Sequence, residues 1–149
     1  MAASGALTTE RVVSTLGGRR ALRSRIDSVD KLHLEVRRGL PYASLESVAE
    51  VYEIDLRRLA DVLAIPLRTL ARRKHDRRLR PDESDRLYRV ARIAALADDA
   101  LGGRDQAVRW LQRPNRALGN AVPLYYLDTE LGARRVEDIL GRIRHGVYS

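Results

Sequence analysis

The densest group of side chains that could do chemistry in this sequence is basic. Between Arg68 and Arg80, seven residues are arginine or lysine and a single residue, Asp76, is acidic. Such a block is typical of surfaces that bind polyanions such as nucleic acid, although an arginine-rich helix can also be a merely solvated face, and it lies in a chain with a formal net charge of +8. The segment before it, 27–67, is acidic and the segment after it, 81–128, is neutral. The block is therefore a local electrostatic feature and not a general property of the surface.

The apolar spacing of LRRLADVLAIPLRTLARRK predicts a helix-turn-helix around this block. The inward face of the first helix and the turn would consist of Leu59, Ala60, Leu63 and Ile65. Pro66 suits the first turn of the second helix, where its missing N–H costs nothing. Ala64 stands where many such motifs have glycine, which puts a left-handed backbone at that position in question.

The second helix would present a face suited to the major groove of DNA. At about 100° per residue, Arg68 and Arg72 lie opposite the inward Leu70, with Thr69 and Ala71 beside them. The small residues permit close approach, and arginine can bind guanine O6 and N7 through two hydrogen bonds. We therefore expect base contacts from this face. Phosphate contacts are expected from the residues that follow, Arg73, Lys74, Arg77, Arg78 and Arg80.

Side chains that could support catalysis are present but are not grouped. The histidines share no metal-ligand spacing: His33, His75 and His145. Cysteine is absent, which excludes disulfides, thiolate ligands and cysteine nucleophiles. Glu137 and Asp138 are adjacent, so their side chains diverge on a helix; these two residues and the pair Asp98-Asp99 are expected to be surface charges.

The aromatic residues favour packing over ligand binding. Tyr125 and Tyr126, together with Trp110, could stack on a ligand, but core packing is the better interpretation in a chain without phenylalanine. No phosphate-binding loop, nucleophile elbow or dinucleotide-binding glycine pattern occurs. The sequence gives no argument for an enzyme, a cofactor or a metal.

Helical apolar spacing from Ile26 onward predicts an all-α fold, with helices ended by glycine or proline. The expected helices span 28–39, 42–52, 56–64, 66–74, 81–101, 105–112 and 129–145. The expected N-terminal caps are Asp27 or Ser28 for the first of these helices, Asp55 for the third, and Asp128 or Thr129 for the last. Residues 114–128 are expected to form a packed loop.

This pattern divides the chain into three parts. Residues 1–24 mix alanine, serine, threonine and glycine with arginine, which favours a flexible arm over a short helix. Residues 25–80 would form the DNA-binding region, and 81–149 a second helical unit. No apolar run approaches the length of a membrane span and no secretory signal is evident, so we expect a cytoplasmic protein.

The final fifteen residues, RVEDILGRIRHGVYS, raise a separate question. One helical stripe carries Val136, Ile139, Leu140 and Ile143. Gly146 then allows the chain to turn off, and Val147 and Tyr148 follow with little chain left to bury them. Exposed apolar segments of this kind usually insert into a groove of the same protein or of a partner.

Three stretches of the chain closely resemble the Xre/MbcA/ParS antitoxins. PLYYLDTELGARRVEDILGRIRHGVYS resembles the toxin-binding domain of that family. LRTLARRKHDRRLRPDESDRLYRVARI resembles its helix-turn-helix and following helix, and GRDQAVRWLQRPNRALGNAVPLYYLDT the segment that links them. The resemblance extends over about 54–149; it departs from the family at Ala64 and does not include residues 1–24.

The resemblance implies an antitoxin that represses its own operon and neutralises a RES-domain toxin that consumes NAD. The family's C-terminal segment lies at the entrance of the toxin's NAD cleft. Carried onto this chain, that role falls to Arg142, His145, Gly146, Val147, Tyr148 and Ser149. The tail would then act as a plug, with the carboxylate of Ser149 near arginines that otherwise hold NAD phosphates.

Two other functions remain open at the level of sequence. A stand-alone transcription regulator would use the second unit to dimerise or to bind a small effector, and a RES-type neighbouring gene would argue against it. An RNA-binding module would use the same arginines, and a preference for palindromic duplex DNA would argue against that. Helix-turn-helix proteins commonly bind half-sites as dimers, so a homodimer is expected.

Overall fold

The computed structural model describes residues 2–146, with side chains from Thr9 onward, and within that part of the chain every regular element is helical. The α-helices are α1 (Ala2–Thr15), α2 (Gly18–Leu22), α3 (Val29–Arg38), α4 (Tyr42–Val51), α5 (Leu56–Val62), α6 (Leu67–Asp76), α7 (Pro81–Leu101), α8 (Arg104–Leu111) and α9 (Glu130–Arg144). The all-α prediction is confirmed.

Side-chain caps begin several of these helices as the sequence predicts. Ser28 caps α3 by accepting a hydrogen bond from the backbone N–H of Lys31, and Asp55 and Thr129 cap α5 and α9 in the same way.

Residues 114–128, predicted as a packed loop, contain two short 3-10 helices, Arg116–Leu118 and Pro123–Asp128.

The long helix α7 lies at the centre of the fold. It packs against α1 and α3, which precede it in the chain, and against α8 and α9, which follow it. Leu87, Ile93 and Ala94 on this helix are completely buried. A single apolar core therefore runs from Val12 in α1 to Leu140 in α9.

The N-terminal segment differs from the flexible arm that its composition favours. Residues 2–22 form α1 and α2, with Val12, Leu16 and Leu22 buried in the common core. The hydroxyl of Ser47 donates a 2.8 Å hydrogen bond to the carbonyl of Thr15 and ties α4 to the end of α1. Because these apolar side chains have tertiary partners, the segment is ordered despite its weak local signals.

A short backbone pairing connects the α3–α4 linker to the end of α6. The N–H of Leu79 donates to the carbonyl of Leu40 at 2.8 Å, and the N–H of Tyr42 donates to the carbonyl of Arg77 at 3.0 Å. Gly39 has φ of 97°, and a Cβ there would lie 2.3 Å from the carbonyl oxygen of Leu79. Only glycine fits this close approach. The pairing therefore fixes the basic end of α6 against α3 and α4.

Candidate functional site

Helices α5 and α6 form the helix-turn-helix predicted from the sequence. Its interior residues are at most 3% exposed: Leu59, Ala60, Leu63 and Ile65. The N–H of Ile65 donates to the carbonyl of Ala60 at 2.9 Å, and Ala64 between them is left-handed, with φ of 55°. Alanine therefore adopts the backbone conformation that its side chain puts in question, at a cost of about 1–2 kcal/mol relative to a right-handed residue.

The outer face of α6 presents the predicted base-contacting residues to solvent. Leu70 is buried, while Arg68 and Arg72 are exposed on the other side and Thr69 is half-buried at the edge. Neither arginine forms an ion pair with the described part of the chain. His75 is also exposed and lies three residues after Arg72, so it extends this face by one turn; its helical spacing was the signal that sequence reasoning overlooked.

Arg73, which is predicted to contact phosphate, forms an ion pair within the protein. Its Nε donates a 2.8 Å hydrogen bond to Oε1 of Glu83 on α7, and only 11% of its side chain is exposed. The hydrogen bond to Glu83 raises the pKa of Arg73. Glu83 also accepts a hydrogen bond from the backbone N–H of Arg80, so the same carboxylate caps the first turn of α7. The ion pair holds the guanidinium of Arg73 against α7, and its phosphate contact stays a prediction.

The remaining basic residues lie at the end of α6 and after it. Lys74 is exposed in the last turn, and Arg77 ends the helix in a left-handed conformation with φ of 62°. Arg78 donates a 2.6 Å hydrogen bond from Nη1 to the carbonyl of Gly39 but keeps an exposed side chain. These three residues can still meet phosphates.

Helix α9 carries the second group of predicted residues. Val136, Ile139 and Leu140 are buried against the core, as the predicted stripe requires, and Ile143 is half-buried. Arg142 and His145 are exposed at the C-terminal end, and Gly146 has a left-handed φ of 71°. Val147, Tyr148 and Ser149 lie outside the described residues. Their role, like that of the exposed residues before them, stays a prediction.

Three of the acidic residues predicted to be surface charges take part in tertiary contacts: Asp98, Glu137 and Asp99, whose carboxylate forms ion pairs with Arg11 at 3.6 Å and with Arg144 at 3.2 Å. Asp98 is only 11% exposed; its Oδ2 accepts from the hydroxyl of Tyr52 and from Nε of Arg104, both at 3.0 Å. Burial, and then the charge of Asp98, raise the pKa of Tyr52. Glu137 accepts a 2.7 Å hydrogen bond from Arg92. The contacts of Asp98 join α4, α7 and α8, and the contact of Glu137 joins α7 and α9.

The aromatic residues near α9 divide between packing and exposure. Trp110 and Tyr126 pack against the core, as predicted, whereas 44% of Tyr125 is exposed. Leu131, in the first turn of α9, is 83% exposed, more than any other large apolar side chain within residues 9–146. Sequence reasoning overlooked Leu131. The available signal was its position off the Val136–Leu140 stripe of its helix, which predicts an exposed side chain.

Two further classes of site are not found in the described part of the chain. No helix in residues 2–146 is long and apolar enough to span a membrane. Over the same range, no group of histidine, aspartate and glutamate side chains has an arrangement that could hold a metal ion.

Comparison with known proteins matches the two halves of the chain to two domain families. Residues 31–92 match the Xre-like helix-turn-helix domain of antitoxins, and residues 96–146 match the C-terminal toxin-binding domain of the Xre/MbcA/ParS antitoxins. The chain is 36% identical to the antitoxin Xre of Yersinia enterocolitica, across 83% of this chain and 74% of that protein. It is 32% identical to the antitoxin Xre of Photorhabdus laumondii, across 79% and 81% of the two chains.

The fold and its surfaces thus define a helix-turn-helix protein joined to a helical toxin-binding unit through one core. More particularly, the chain belongs to the Xre antitoxin family.

Proposed function

We propose that this protein neutralises a RES-domain toxin that consumes NAD and represses its own operon, acting as a homodimer on DNA. The outer face of α6 carries the DNA-binding half of the proposal, because its arginines are exposed and make no ion pair in the described part of the chain. The matched toxin-binding domain supports the other half. Nothing in this role requires the chain to catalyse a reaction.

Operator recognition is assigned to α6 and the residues that follow it. Arg68 and Arg72 contact base edges in the major groove, with Thr69 beside them, and Lys74, Arg77 and Arg78 contact phosphates. In a homodimer, two copies of α6 would enter successive major grooves about 34–36 Å apart.

Alanine substitution on α6 tests this assignment. Arg72→Ala should weaken operator binding by about 1–3 kcal/mol if the guanidinium binds a guanine, and Arg68→Ala should do the same. Arg77→Ala should weaken binding to all duplexes alike and flatten the salt dependence. Fluorescence anisotropy with the DNA upstream of the gene measures both effects. Arg113→Ala, at an exposed site near the end of α8, is the control for lost charge. Wild-type affinity in a folded Arg68→Ala/Arg72→Ala variant would refute the assignment.

Toxin inhibition is assigned to the C-terminal end of α9 and the segment after it. The resemblance to the antitoxin family supports a position for this segment at the toxin's NAD cleft, and the exposed Arg142 and His145 suit a site built for an anionic ligand. Gly146 lets the chain leave the helix axis. The ring of Tyr148 is the largest group in the tail and is the expected anchor in the cleft.

A second contact with the toxin is assigned to the opposite end of α9. Leu131 and Tyr125 place exposed apolar surface within the matched toxin-binding domain. Burial of such surface stabilises protein complexes. Association and inhibition would then depend on different ends of one helix, about 20 Å apart at 1.5 Å per residue.

Removal of residues 146–149 tests the inhibitory segment. The last α-helical hydrogen bond of α9, from the N–H of His145 to the carbonyl of Gly141, does not depend on these residues, so the stability of the free protein should change little. NAD consumption by the co-purified toxin complex should rise toward that of free toxin. Tyr148→Ala should do so in part, and Leu131→Ala should instead weaken association. Full inhibition by the shortened protein would show that the tail is not required.

The neighbouring gene separates this function from that of a stand-alone regulator. An adjacent gene for a RES-domain protein, whose product co-purifies with this chain, is the expected finding. Without such a partner, the second unit would have to act in dimerisation or effector binding.

A further inference from the structure

The region before residue 31 lies outside both matched domains, yet it contributes to a basic cleft beside the helix-turn-helix. The cleft has a volume of about 710 Å³ and is bounded by α2, the ends of α3 and α6, and the start of α4. Its lining holds six basic and two acidic residues. The basic residues are Arg20, Arg23, Arg38, Lys74, Arg77 and Arg78.

Most of this positive charge is not neutralised within the described part of the chain. Glu35, one of the two acidic residues of the lining, lies 3.4 Å from Arg38. By contrast, the exposed side chains of Arg20, Arg23 and Lys74 make no ion pair with residues 9–146. The cleft therefore has several cationic groups free to bind an external anion.

The backbone that carries Arg20 and Arg23 is held firmly in place. Leu22, which lies between these two arginines in the sequence, is buried, and the N–H of Arg23 donates to the carbonyl of Arg19 at 3.0 Å. Gly17 turns the chain from α1 into α2 with φ of 102°. Because α2 is anchored to the core, little backbone entropy is lost when its arginines bind a ligand.

The position of the cleft relative to α6 indicates the kind of anion. Arg77 follows Arg68 by nine residues, which is about 14 Å along a helix at 1.5 Å per residue. The major groove is about 12 Å wide, so a helix with Arg68 over the bases has its other end near the phosphates that border the groove. A cleft with several cations at that end fits a row of phosphates better than a single small anion.

We propose that α2 forms a second phosphate-binding element, in which Arg20 and Arg23, together with Lys74 and Arg77, bind the DNA backbone that borders the major groove. This inference rests on the proposed DNA-binding function of α6. It gives the N-terminal segment a role in affinity, with no role in reading sequence.

The salt dependence of binding to a duplex of arbitrary sequence tests this proposal. Each lost phosphate contact reduces the slope of log K against log salt by about 0.9, so Arg20→Ala/Arg23→Ala should reduce it by about 1.8. The ratio of wild-type to variant affinity should accordingly fall about twelvefold between about 50 and 200 mM salt. Operator and arbitrary duplexes should be affected alike. The thermal midpoint should not change, because both side chains are exposed.

A matched control is Arg19→Ala/Arg37→Ala. These exposed residues lie on α2 and α3 but do not line the cleft, and the variant removes the same charge. It should keep a slope near that of the wild type. An equal reduction in the control, or an unchanged slope in Arg20→Ala/Arg23→Ala, would overturn the proposal. So would a loss of binding to single-stranded RNA with none to duplex DNA.

The Arg68→Ala/Arg72→Ala variant, measured in the same series, distinguishes a failure of this inference from a failure of DNA binding by α6. If that variant loses operator binding and Arg20→Ala/Arg23→Ala keeps its slope, the cleft proposal alone fails. If neither variant differs from the wild type, DNA binding by α6 fails as well.

Discussion

At the scale of single residues, the turn of the helix-turn-helix has a backbone that is strained for its side chain. Ala64 is exposed and left-handed, with φ of 55°. The conformation costs alanine about 1–2 kcal/mol, while glycine loses about 0.5–1 kcal/mol through the greater freedom of its unfolded chain. Ala64→Gly should therefore raise the free energy of unfolding by about 0.5–1 kcal/mol.

Urea unfolding measures this change, and Ala71→Gly provides the opposite control. Ala71 is exposed within α6, where glycine should cost about 1 kcal/mol. If both substitutions destabilise the protein, the backbone at Ala64 is not strained.

Tyr52 gives the stability of the protein a dependence on alkaline pH. Burial of its ring, and then the charge of Asp98, raise its pKa above the ordinary 10.0, so the unfolded chain loses this proton first. The free energy of unfolding should therefore be unaffected below about pH 10 and should fall as the pH rises above that value. Tyr42, whose pKa is raised by burial and by Glu46, contributes in the same direction.

The pH effect is tested by urea unfolding at about pH 8 and about pH 11. Tyr52→Phe should reduce the difference between the two stabilities, although it costs about 1 kcal/mol at neutral pH through the lost hydrogen bond to Asp98. Tyr125→Phe, at an exposed ring, should leave the difference unchanged. An equal difference in the wild type and Tyr52→Phe would contradict the role given to this proton.

Sequence reasoning resolved the residues of α6 as far as helical periodicity allows. The inward Leu70 and the outward Arg68 and Arg72 follow from 100° per residue. Periodicity did not distinguish Arg73 from its neighbours, because that depends on Glu83, ten residues away, facing it across the junction with α7. The same reason applies to Asp98, whose partner Tyr52 is remote in the chain.

At the scale of elements, the N-terminal helices show where local signals fail. The sequence of 1–24 is poor in strong helix signals, and the helices within residues 2–22 depend on burial of Leu16 and Leu22 against other helices. By contrast, α3, α5 and α9 were predictable to within a residue or two, since their caps and apolar spacing are local.

Truncation of one buried leucine tests whether α1 belongs to the core. Leu16 is completely buried, so Leu16→Ala should lower the free energy of unfolding by about 2–5 kcal/mol. Arg19→Ala, three residues away and exposed, should change it by less than about 0.5 kcal/mol. Chemical unfolding of both variants makes the comparison. Equal, small effects would restore the flexible arm.

At the scale of the whole molecule, two surfaces with different proposed partners share one core. Helix α7 packs against both units, and the match to the helix-turn-helix domain ends at residue 92, within that helix. The boundary predicted at 80/81 therefore stays a proposal. Exposed residues at each end can still act independently, because they do not contribute to the shared packing.

The two proposed activities should consequently be separable by surface substitutions and not by core substitutions. The Arg68→Ala/Arg72→Ala variant should not bind the operator but should still inhibit the toxin in cells. Removal of residues 146–149 should restore NAD consumption by the toxin and leave operator affinity unchanged. Leu87→Ala, in the buried face of α7, should lose about 2–5 kcal/mol of stability and impair both activities together. Gel shift and NAD consumption on the same preparations measure each pair of outcomes. If the Arg68→Ala/Arg72→Ala variant is folded and abundant but no longer protects cells, one surface serves both partners and the division proposed for the molecule is wrong.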